Sequence, residues 1–328
     1  DGKVDWYEDY RIEAAIQTIE ELIQRRCRVL LLTHLGRPGE EEGNFDLEPI
    51  KRRLEDLLKE DVRSINKLSG PEVEAVVAGM DPGSVAMLPN VRIDEREMGR
   101  NDGFAKELAS NAEAYVNEAF SVSHRDQTSV SLVPTLLPSC AGRRTVQEYE
   151  TLSELAHEPS RPYVAIVSGA KVHTKVALIE NLLERVDQLC VGGRIANTFL
   201  MVKDVCVDGE CEEEDMEAAR NIIQKAGDKL ILPVDVVIGP KEDGVEDGVE
   251  TVSVDNVPDN VEGVWDIGLK TARLYLSYCE NAKTVMWNGP VGMFEDKRYA
   301  AGTEVVGRGL AEIEAKVVVG GGDTALAL

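Results

Sequence analysis

The chain has 328 residues, 43% of them hydrophobic, and its 60 acidic and 36 basic residues give a formal net charge of −24. That length is sufficient for two domains that each bury a core, and the negative charge argues against nucleic acid and anionic membranes as partners. No apolar run is long enough to cross a membrane and the first residues lack a signal-peptide pattern, so we predict a cytoplasmic protein.

Short runs rich in Val, Ile and Leu alternate along the chain with amphipathic stretches of helical period. This alternation is typical of βα units around a parallel sheet. The predicted strands span residues 28–36, 84–92, 113–120, 162–170, 188–193, 229–239, 283–290 and 316–322. The predicted helices span residues 11–26, 47–59, 145–156, 172–186, 213–226, 268–279 and 300–315.

The segment of residues 135–162 carries prolines at both ends and one helical stretch in its middle, which is typical of a helical linker. We therefore predict an α/β fold of two doubly wound, Rossmann-like parallel-sheet domains joined by a helical hinge. The predicted boundaries are 1–144 for the first domain, 145–158 for the interdomain helix and 159–328 for the second domain.

Two features of composition have simple interpretations. The six cysteines are scattered through apolar segments without a zinc-site spacing, so we predict free thiols. Acidic runs such as "GECEEEDMEAA" are interpreted as solvated faces that favour solubility.

Basic side chains follow the predicted strands of the first half. In open parallel sheets, ligands bind outside the carboxyl ends of the strands, and these positions carry His34, Arg37, Arg92, His124 and Arg125, while Arg11 begins a helix. Several converging arginines are costly unless an anion fills the space between them, so the first half is predicted to bind a small polyanion. The alternative for any single arginine is a surface salt bridge, and the two histidines are expected to position the anion by hydrogen bonds.

The corresponding positions of the second half carry glycine, lysine and one acid, in "SGAKVHTK", "VGGRIANTF", "WNGPVGMFE" and "VVVGGGDT". Lys171 and Lys175 face one way if a helix begins near Val172, and a lysine suits a travelling phosphoryl group; the alternative for Lys175 is an exposed helix residue. The glycines before Asp323 suit a phosphate but are as often needed for turn geometry. Asp323 suits Mg2+ or serves as a helix N-cap.

Neither a P-loop pattern nor a dinucleotide glycine fingerprint follows any predicted strand. A polyanion site in one half, a glycine and lysine site in the other and a helical linker between them together indicate phosphoryl transfer with domain closure. That chemistry needs positioning, charge neutralisation and exclusion of water more than covalent help.

Five motifs in a fixed order along the whole chain now narrow the prediction: "LLTHLGRP", "VNEAFSVSHR", "SGAKVHTK", "WNGPVGMFE" and "GGGDT". Together they closely resemble the phosphoglycerate kinase family. The resemblance implies Mg2+-dependent, reversible transfer of the acyl phosphate of 1,3-bisphosphoglycerate to ADP, giving ATP and 3-phosphoglycerate in glycolysis and gluconeogenesis. It also implies a monomer with two doubly wound domains and a hinge.

The matching motifs also imply individual roles. Phosphoglycerate would be held by Arg11, His34, Arg37, Arg92 and Arg125. Arg11 would also meet the transferring group, so Arg11 and Lys175 are the expected catalytic residues, with Lys175 following the phosphoryl group in the transition state. The nucleotide would be bound by Lys171, Lys175, Gly193, Asn288, Glu295, Gly320, Gly321, Gly322, Asp323 and Thr324. Within this set Glu295 would meet the ribose, and Asp323 would hold Mg2+.

The sequence also departs from the family pattern. The resemblance implies that the family's N-terminal strand and C-terminal segment are absent, so we expect the activity of this chain to be impaired. Arg194, Thr174 and Ser121 stand where the family has Gly, Asp and Gly, and the Arg194 side chain must either crowd the adenine pocket or turn to solvent. The alternatives are a non-catalytic nucleotide or phosphoglycerate binding protein of the same family and, without its glycine fingerprint, a nucleotide-dependent dehydrogenase.

Overall fold

The computed structural model describes residues 9–36, 46–205, 211–242 and 248–328. The predicted substrate residue Arg37 lies outside the described residues. The chain divides into two compact units, Asp1–Ser153 and Glu154–Leu328. Among the described residues, no helix is both long and apolar enough to cross a membrane.

The first unit alternates helices with short strands. Its elements are α1 (Tyr10–Gln24), β1 (Val29–Leu31), α2 (Glu48–Leu58), β2 (Val62–Ser64), α3 (Pro71–Ala78), β3 (Val85–Met87), α4 (Asp102–Ala109), β4 (Tyr115–Asn117), α5 (Val133–Leu136), β5 (Ser139–Ala141) and α6 (Arg143–His157). The strands pair in parallel as a three-stranded sheet of order β1-β3-β2 and a separate β4-β5 pair. The helix α6 contains the division between the two units.

Alternate residues of β3 explain why helices cover both faces of the three-stranded sheet. Val85 and Met87 pack with buried residues of α1 and α2, whereas Ala86 packs with buried residues of α3 and α4. A parallel strand that is apolar on both faces must be covered on both. The first unit is therefore doubly wound, as predicted.

The second unit holds a larger sheet. Its elements are β6 (Tyr163–Ser168), α7 (Val176–Leu183), β7 (Gln188–Gly192), α8 (Gly193–Val202), α9 (Glu213–Ala226), β8 (Leu230–Ile231), β9 (Asp235–Ile238), β10 (Glu250–Ser253), β11 (Val264–Ile267), α10 (Leu269–Cys279), β12 (Thr284–Asn288), α11 (Ala301–Glu312), β13 (Lys316–Gly320) and α12 (Gly322–Leu326). Five strands form a wholly parallel sheet of order β13-β12-β6-β7-β8. The chain leaves β6 first toward β7 and later returns to its other side through β12. The gap between β6 and β12 is thus the switch point, where ligands bind in such sheets.

The same alternation operates in β6, the central strand of this sheet. Ala165 and Val167 pack with α7, α8 and α9, whereas Val164 and Ile166 pack with α10 and α11. The predicted fold class, two doubly wound α/β domains, is confirmed. The described cysteines, Cys27, Cys140, Cys190, Cys211 and Cys279, are free thiols as predicted.

Two predicted elements differ from the structure. The predicted strand 229–239 is two strands, because Pro233 interrupts it: β8 joins the parallel sheet, and β9 forms the centre of an antiparallel sheet of order β10-β9-β11. The predicted helix 172–186 begins with a 3-10 turn over His173–Lys175, and its α-helical part starts only at Val176. The second difference changes the placement of two predicted site residues.

Candidate functional site

Two loops are tied together at the carboxyl edge of the sheet in the first unit. The loop after β1 accepts hydrogen bonds from the loop after β3: Asn90 Nδ2 donates to the Leu35 carbonyl at 2.8 Å, and the Arg92 guanidinium donates to the Gly36 carbonyl. Asn90 is buried, and its Oδ1 accepts the Arg92 N–H at 3.0 Å, which starts a 3-10 turn. These bonds fix His34 and Arg92 at one edge.

Three arginines from separate segments act on the half-buried His34. Burial and, to a smaller extent, the positive charges of Arg92, Arg125 and Arg11 together lower the pKa of His34 from 6.5 to about 4. Charges act on one another strongly only over short distances in a folded protein. The structure therefore brings together these four predicted residues, which we call the arginine rim.

The outer members of the arginine rim are available to a ligand. Arg11 is exposed at the start of α1, where its Nε donates to the Tyr10 hydroxyl at 3.0 Å. Arg125 and its neighbour His124 are exposed after the 3-10 turn Phe120–Val122. In the part of the chain that the structure describes, neither Arg11 nor Arg125 makes a salt bridge.

Lys175 is held at the switch point of the second unit. Its ammonium group donates to Asn288 Oδ1, and Asn288 Nδ2 donates to the Gly320 carbonyl at 3.0 Å. Burial lowers the pKa of Lys175, and the nearby Asp323 carboxylate opposes this shift. One amide side chain thus links the lysine to the glycine turn after β13.

The glycine turn itself is fastened by Thr324. This buried side chain donates from Oγ1 to the Gly320 carbonyl at 2.9 Å and accepts the Gly289 N–H at 2.8 Å. Gly289 and Gly321 have positive φ, +94° and +100°, which favours glycine at both positions. Gly322 and Asp323 are exposed in the first turn of α12. We call Lys175, Asn288, Gly289 and residues 320–324 the glycine rim.

Gly193 packs at the same end of β6. Its φ is +59°, and a Cβ atom there would lie 2.4 Å from Ser168 Oγ. Its N–H donates to the Val291 carbonyl at 2.9 Å, which joins the start of α8 to the loop after β12. The next residue, Arg194, is exposed, so its side chain turns to solvent rather than inward. Glu295 is also exposed, on the loop between β12 and α11.

The position of Lys171 differs from the prediction based on helical spacing. Because the α-helix begins at Val176, the expected common helical face for Lys171 and Lys175 is wrong. Lys171 is exposed and binds Glu212 Oε1 at 2.5 Å, and the hydrogen bond to Glu212 raises the pKa of Lys171.

The acidic run around Glu212 is more than a solvated face. Asp215 is buried, with 5% exposure, and its Oδ1 accepts the His173 N–H at 2.6 Å and approaches His173 Nδ1 to 3.0 Å. Sequence reasoning missed both Glu212 and Asp215. The available signal was the position of the run at the start of α9, where carboxylates favour a helix N-terminus.

Comparison with known proteins identifies the family of the chain. The family model described as Phosphoglycerate kinase matches residues 2–328. The chain belongs to the phosphoglycerate kinase family. It is 43% identical to the phosphoglycerate kinase of Moorella thermoacetica over 323 residues, covering 97% of this chain and 82% of that protein. It is 42% identical to the phosphoglycerate kinase of Desulfosudis oleivorans over 327 residues, covering 98% of this chain and 82% of that protein.

Solved structures of the family have the same fold. The phosphoglycerate kinase of Coxiella burnetii superposes with a TM-score of 0.82 at 37% identity, covering 100% of this chain and 83% of that chain. The phosphoglycerate kinase of Pyrococcus horikoshii superposes with a TM-score of 0.85 at 27% identity, covering 97% of this chain and 82% of that chain. The predicted enzyme class is thereby confirmed, and the non-catalytic alternative has no support from these relatives. The roles of individual residues stay predictions.

Proposed function

We propose that this chain transfers the acyl phosphate of 1,3-bisphosphoglycerate to ADP, giving ATP and 3-phosphoglycerate, and runs the reverse reaction. The observation that carries the proposal is membership of the phosphoglycerate kinase family over residues 2–328. That membership also supports a place in glycolysis. The two rims supply a physical account of how the residues of this chain serve the reaction.

The arginine rim is proposed to bind the phosphoglycerate. Its guanidinium groups present planar donors that match phosphate and carboxylate oxygens. His34, with its pKa lowered to about 4, is neutral at physiological pH and offers the anion one N–H without adding charge. Arg37 is proposed to complete this set, and Arg11 to reach the transferring group as well.

The glycine rim is proposed to bind the nucleotide phosphates. Residues 320–324 offer backbone N–H groups at the start of α12, and glycine lets a phosphate approach them closely. Lys175 is proposed to leave Asn288 and follow the phosphoryl group. Lys171 must first release Glu212 before it meets a phosphate. Gly193, Asn288 and Glu295 are proposed to line the nucleoside side.

Asp323 fits the role proposed for a Mg2+ ligand. Its carboxylate is exposed beside the glycine turn, and its charge reaches Lys175. Mg2+ prefers one or two carboxylates together with phosphate oxygens and water. When bound with the nucleotide, the ion would neutralise phosphate charge. We further propose a cytoplasmic monomer that acts on small molecules and binds neither nucleic acid nor membranes, in keeping with its charge of −24.

The protein's contribution to this reaction is mainly electrostatic. Phosphoryl transfer spreads negative charge over the oxygens of the moving group, so positioned cations stabilise the transition state. A half-buried ammonium such as that of Lys175 acts more strongly than an exposed one, because less water screens it. Lys175 and Arg11 are therefore the side chains whose loss should lower kcat most.

The test is ATP consumption by the 328-residue chain with 3-phosphoglycerate and Mg2+, compared with Lys175→Ala, Arg11→Ala and Lys270→Ala. Removing Lys175 or Arg11 is expected to lower kcat by about 100-fold or more. Lys270→Ala removes an exposed lysine of the same unit and should leave kcat unchanged. Equal activity of Lys175→Ala and the parent chain would contradict the proposed role of Lys175.

A further inference from the structure

A second cluster of polar groups lies in the first unit, centred on Glu118. Glu118 Oε1 accepts the Thr18 hydroxyl at 2.6 Å and the Arg144 N–H at 3.1 Å. Thr18 Oγ1 in turn accepts the Arg143 N–H at 2.8 Å. The hydroxyl and the carboxylate therefore satisfy two of the N–H groups that the first turn of α6 leaves without helical partners.

The cluster is tightly packed. Thr18 is buried with 8% exposure, and a Cβ atom at Gly142 would lie 1.7 Å from Glu118 Oε2. Oε2 is buried, and the described residues offer it no hydrogen-bond partner. Glu118 also makes no salt bridge within those residues, so its charge is balanced by the positive end of α6. Such a carboxylate is held in one position.

Three segments meet in this cluster. Two of them carry residues of the arginine rim, and the third contains the division between the two units. Thr18 lies on α1 seven residues after Arg11, about two helical turns away and on the same face. Glu118 directly follows β4 and begins the loop that carries Arg125. The third element, α6, contains the division between the two units.

We infer that Glu118 and Thr18 are positioning residues for the arginine rim. Their hydrogen bonds fix α1 against the β4 loop, and thereby fix the spacing between Arg11 and Arg125 around His34. This inference rests on the proposed function, because it assumes that the rim binds phosphoglycerate. Small misplacements of groups that hold a charged ligand lower affinity strongly, so the cluster controls binding without touching the ligand.

The experiment compares Thr18→Val with Thr18→Ser in the full chain. Valine keeps the shape but removes the hydroxyl, so both the Glu118 and Arg143 bonds are lost, whereas serine keeps them. Calorimetry measures the Kd of 3-phosphoglycerate and, separately, the Kd of ATP. Thr18→Val is expected to raise the Kd of 3-phosphoglycerate about tenfold and leave that of ATP unchanged, while Thr18→Ser stays near the parent value. An unchanged Kd of 3-phosphoglycerate in Thr18→Val would overturn the inference.

Two further variants separate positioning from other effects. Val73→Ala disturbs the fully buried core around α3 in the same unit without touching the cluster. If it weakened 3-phosphoglycerate binding as much as Thr18→Val, general destabilisation would be the cause and the inference would fall. Arg11→Ala tests the rim itself. If only Arg11→Ala weakened binding, the inference alone would fail; if Arg11→Ala had no effect, the proposed phosphoglycerate site would fail with it.

Discussion

The carboxyl edges of the two sheets present different chemical groups: charged side chains in the first unit and mainly backbone groups in the second. In the first unit, Arg11 and Arg125 are exposed side chains that act on one histidine from separate segments. In the second unit, a buried threonine fastens two glycine turns, and the half-buried Lys175 is tied to Asn288. The first edge is thus made of charged side chains, and the second is mainly made of backbone.

This contrast predicts different consequences of mutation. Exposed side chains contribute little to folding, so changes at Arg11 and Arg125 should alter ligand affinity and leave stability nearly unchanged. Buried hydrogen bonds and positive-φ glycines hold the backbone of the glycine rim, so changes there should lower stability as well. Four predictions test this difference, beginning with the largest effect.

Replacing Gly289 with alanine should destabilise the protein most. Its φ is +94°, and a Cβ atom would lie 2.4 Å from the Ser168 carbonyl oxygen, a backbone atom that cannot easily move. We expect Gly289→Ala to lower the free energy of unfolding by about 3 kcal/mol and to weaken ATP binding. Urea unfolding measures the first and calorimetry the second.

Gly227→Ala is the matched control for that experiment. Gly227 lies in the same unit and also has positive φ, +53°, but a Cβ atom there would meet nothing within 4 Å. The Gly227→Ala substitution should therefore lower the free energy of unfolding only by the backbone strain, about 1 kcal/mol. Equal destabilisation by the two substitutions would mean that close packing at the switch point contributes nothing.

Thr324→Val should have the next largest effect. The change leaves the Gly289 N–H without its buried acceptor, which costs about 2 kcal/mol of unfolding free energy. Thr324→Ser keeps the hydroxyl and should retain most of the stability. Denaturant unfolding of the two variants provides the measurement. If valine and serine were equally stable, the glycine rim would not depend on this hydrogen bond, and the contrast between the two edges would weaken.

The fold was largely predictable from the pattern of apolar runs. The strands of the large parallel sheet are nearly continuous apolar segments such as residues 163–168, and a segment buried on both faces has this appearance. The antiparallel sheet was missed because β10, with the sequence "ETVS", has only two partly buried residues and carries no strong apolar pattern. Pro233 was a signal for the break between β8 and β9.

Residue type predicted the arginine rim better than the glycine rim. Arginines at strand ends signal an anion site directly, and the structure brings three of them to His34. The surroundings of the two lysines depend instead on where a helix begins, which sequence patterns locate poorly. The partner of Lys171, Glu212, is distant in sequence and lies in an acidic run that resembles many solvated surfaces. Only the folded chain shows that they meet.

Glu212→Gln tests whether the exposed lysine is restrained by its partner. Removing the carboxylate charge should free Lys171 and lower the KM for ATP by about twofold, an effect typical of an exposed ion pair. Glu213→Gln changes the next residue, which pairs with Arg220, and should leave this KM unchanged. Steady-state kinetics provide the measurement. A higher KM in Glu212→Gln would show that Glu212 assists nucleotide binding rather than competing with the phosphates.

A further prediction concerns His34 and pH. The pKa of His34 is about 4 in the folded chain against 6.5 for an exposed histidine, so between these values the unfolded chain binds a proton that the folded chain does not. The associated stability is complete above pH 6.5 and is lost as the pH falls toward 4. His34→Gln should therefore reduce the drop in unfolding free energy between pH 7 and pH 5 by about 1 kcal/mol, after allowance for solvent screening of this half-buried group.

Arg125→Gln sharpens this prediction into a test of the arginine rim. Loss of one positive charge should raise the pKa of His34, and bound 3-phosphoglycerate should raise it further because its negative charges favour the imidazolium form. An NMR titration of the imidazole measures both shifts. If neither Arg125→Gln nor bound 3-phosphoglycerate shifted the pKa of His34, Arg125 and the bound anion would be too distant to act on it. The arginines at the first edge would then be independent surface residues and would not form one anion-binding site. The comparison with the second edge, which is made mainly of backbone, would then not be a comparison of two binding sites.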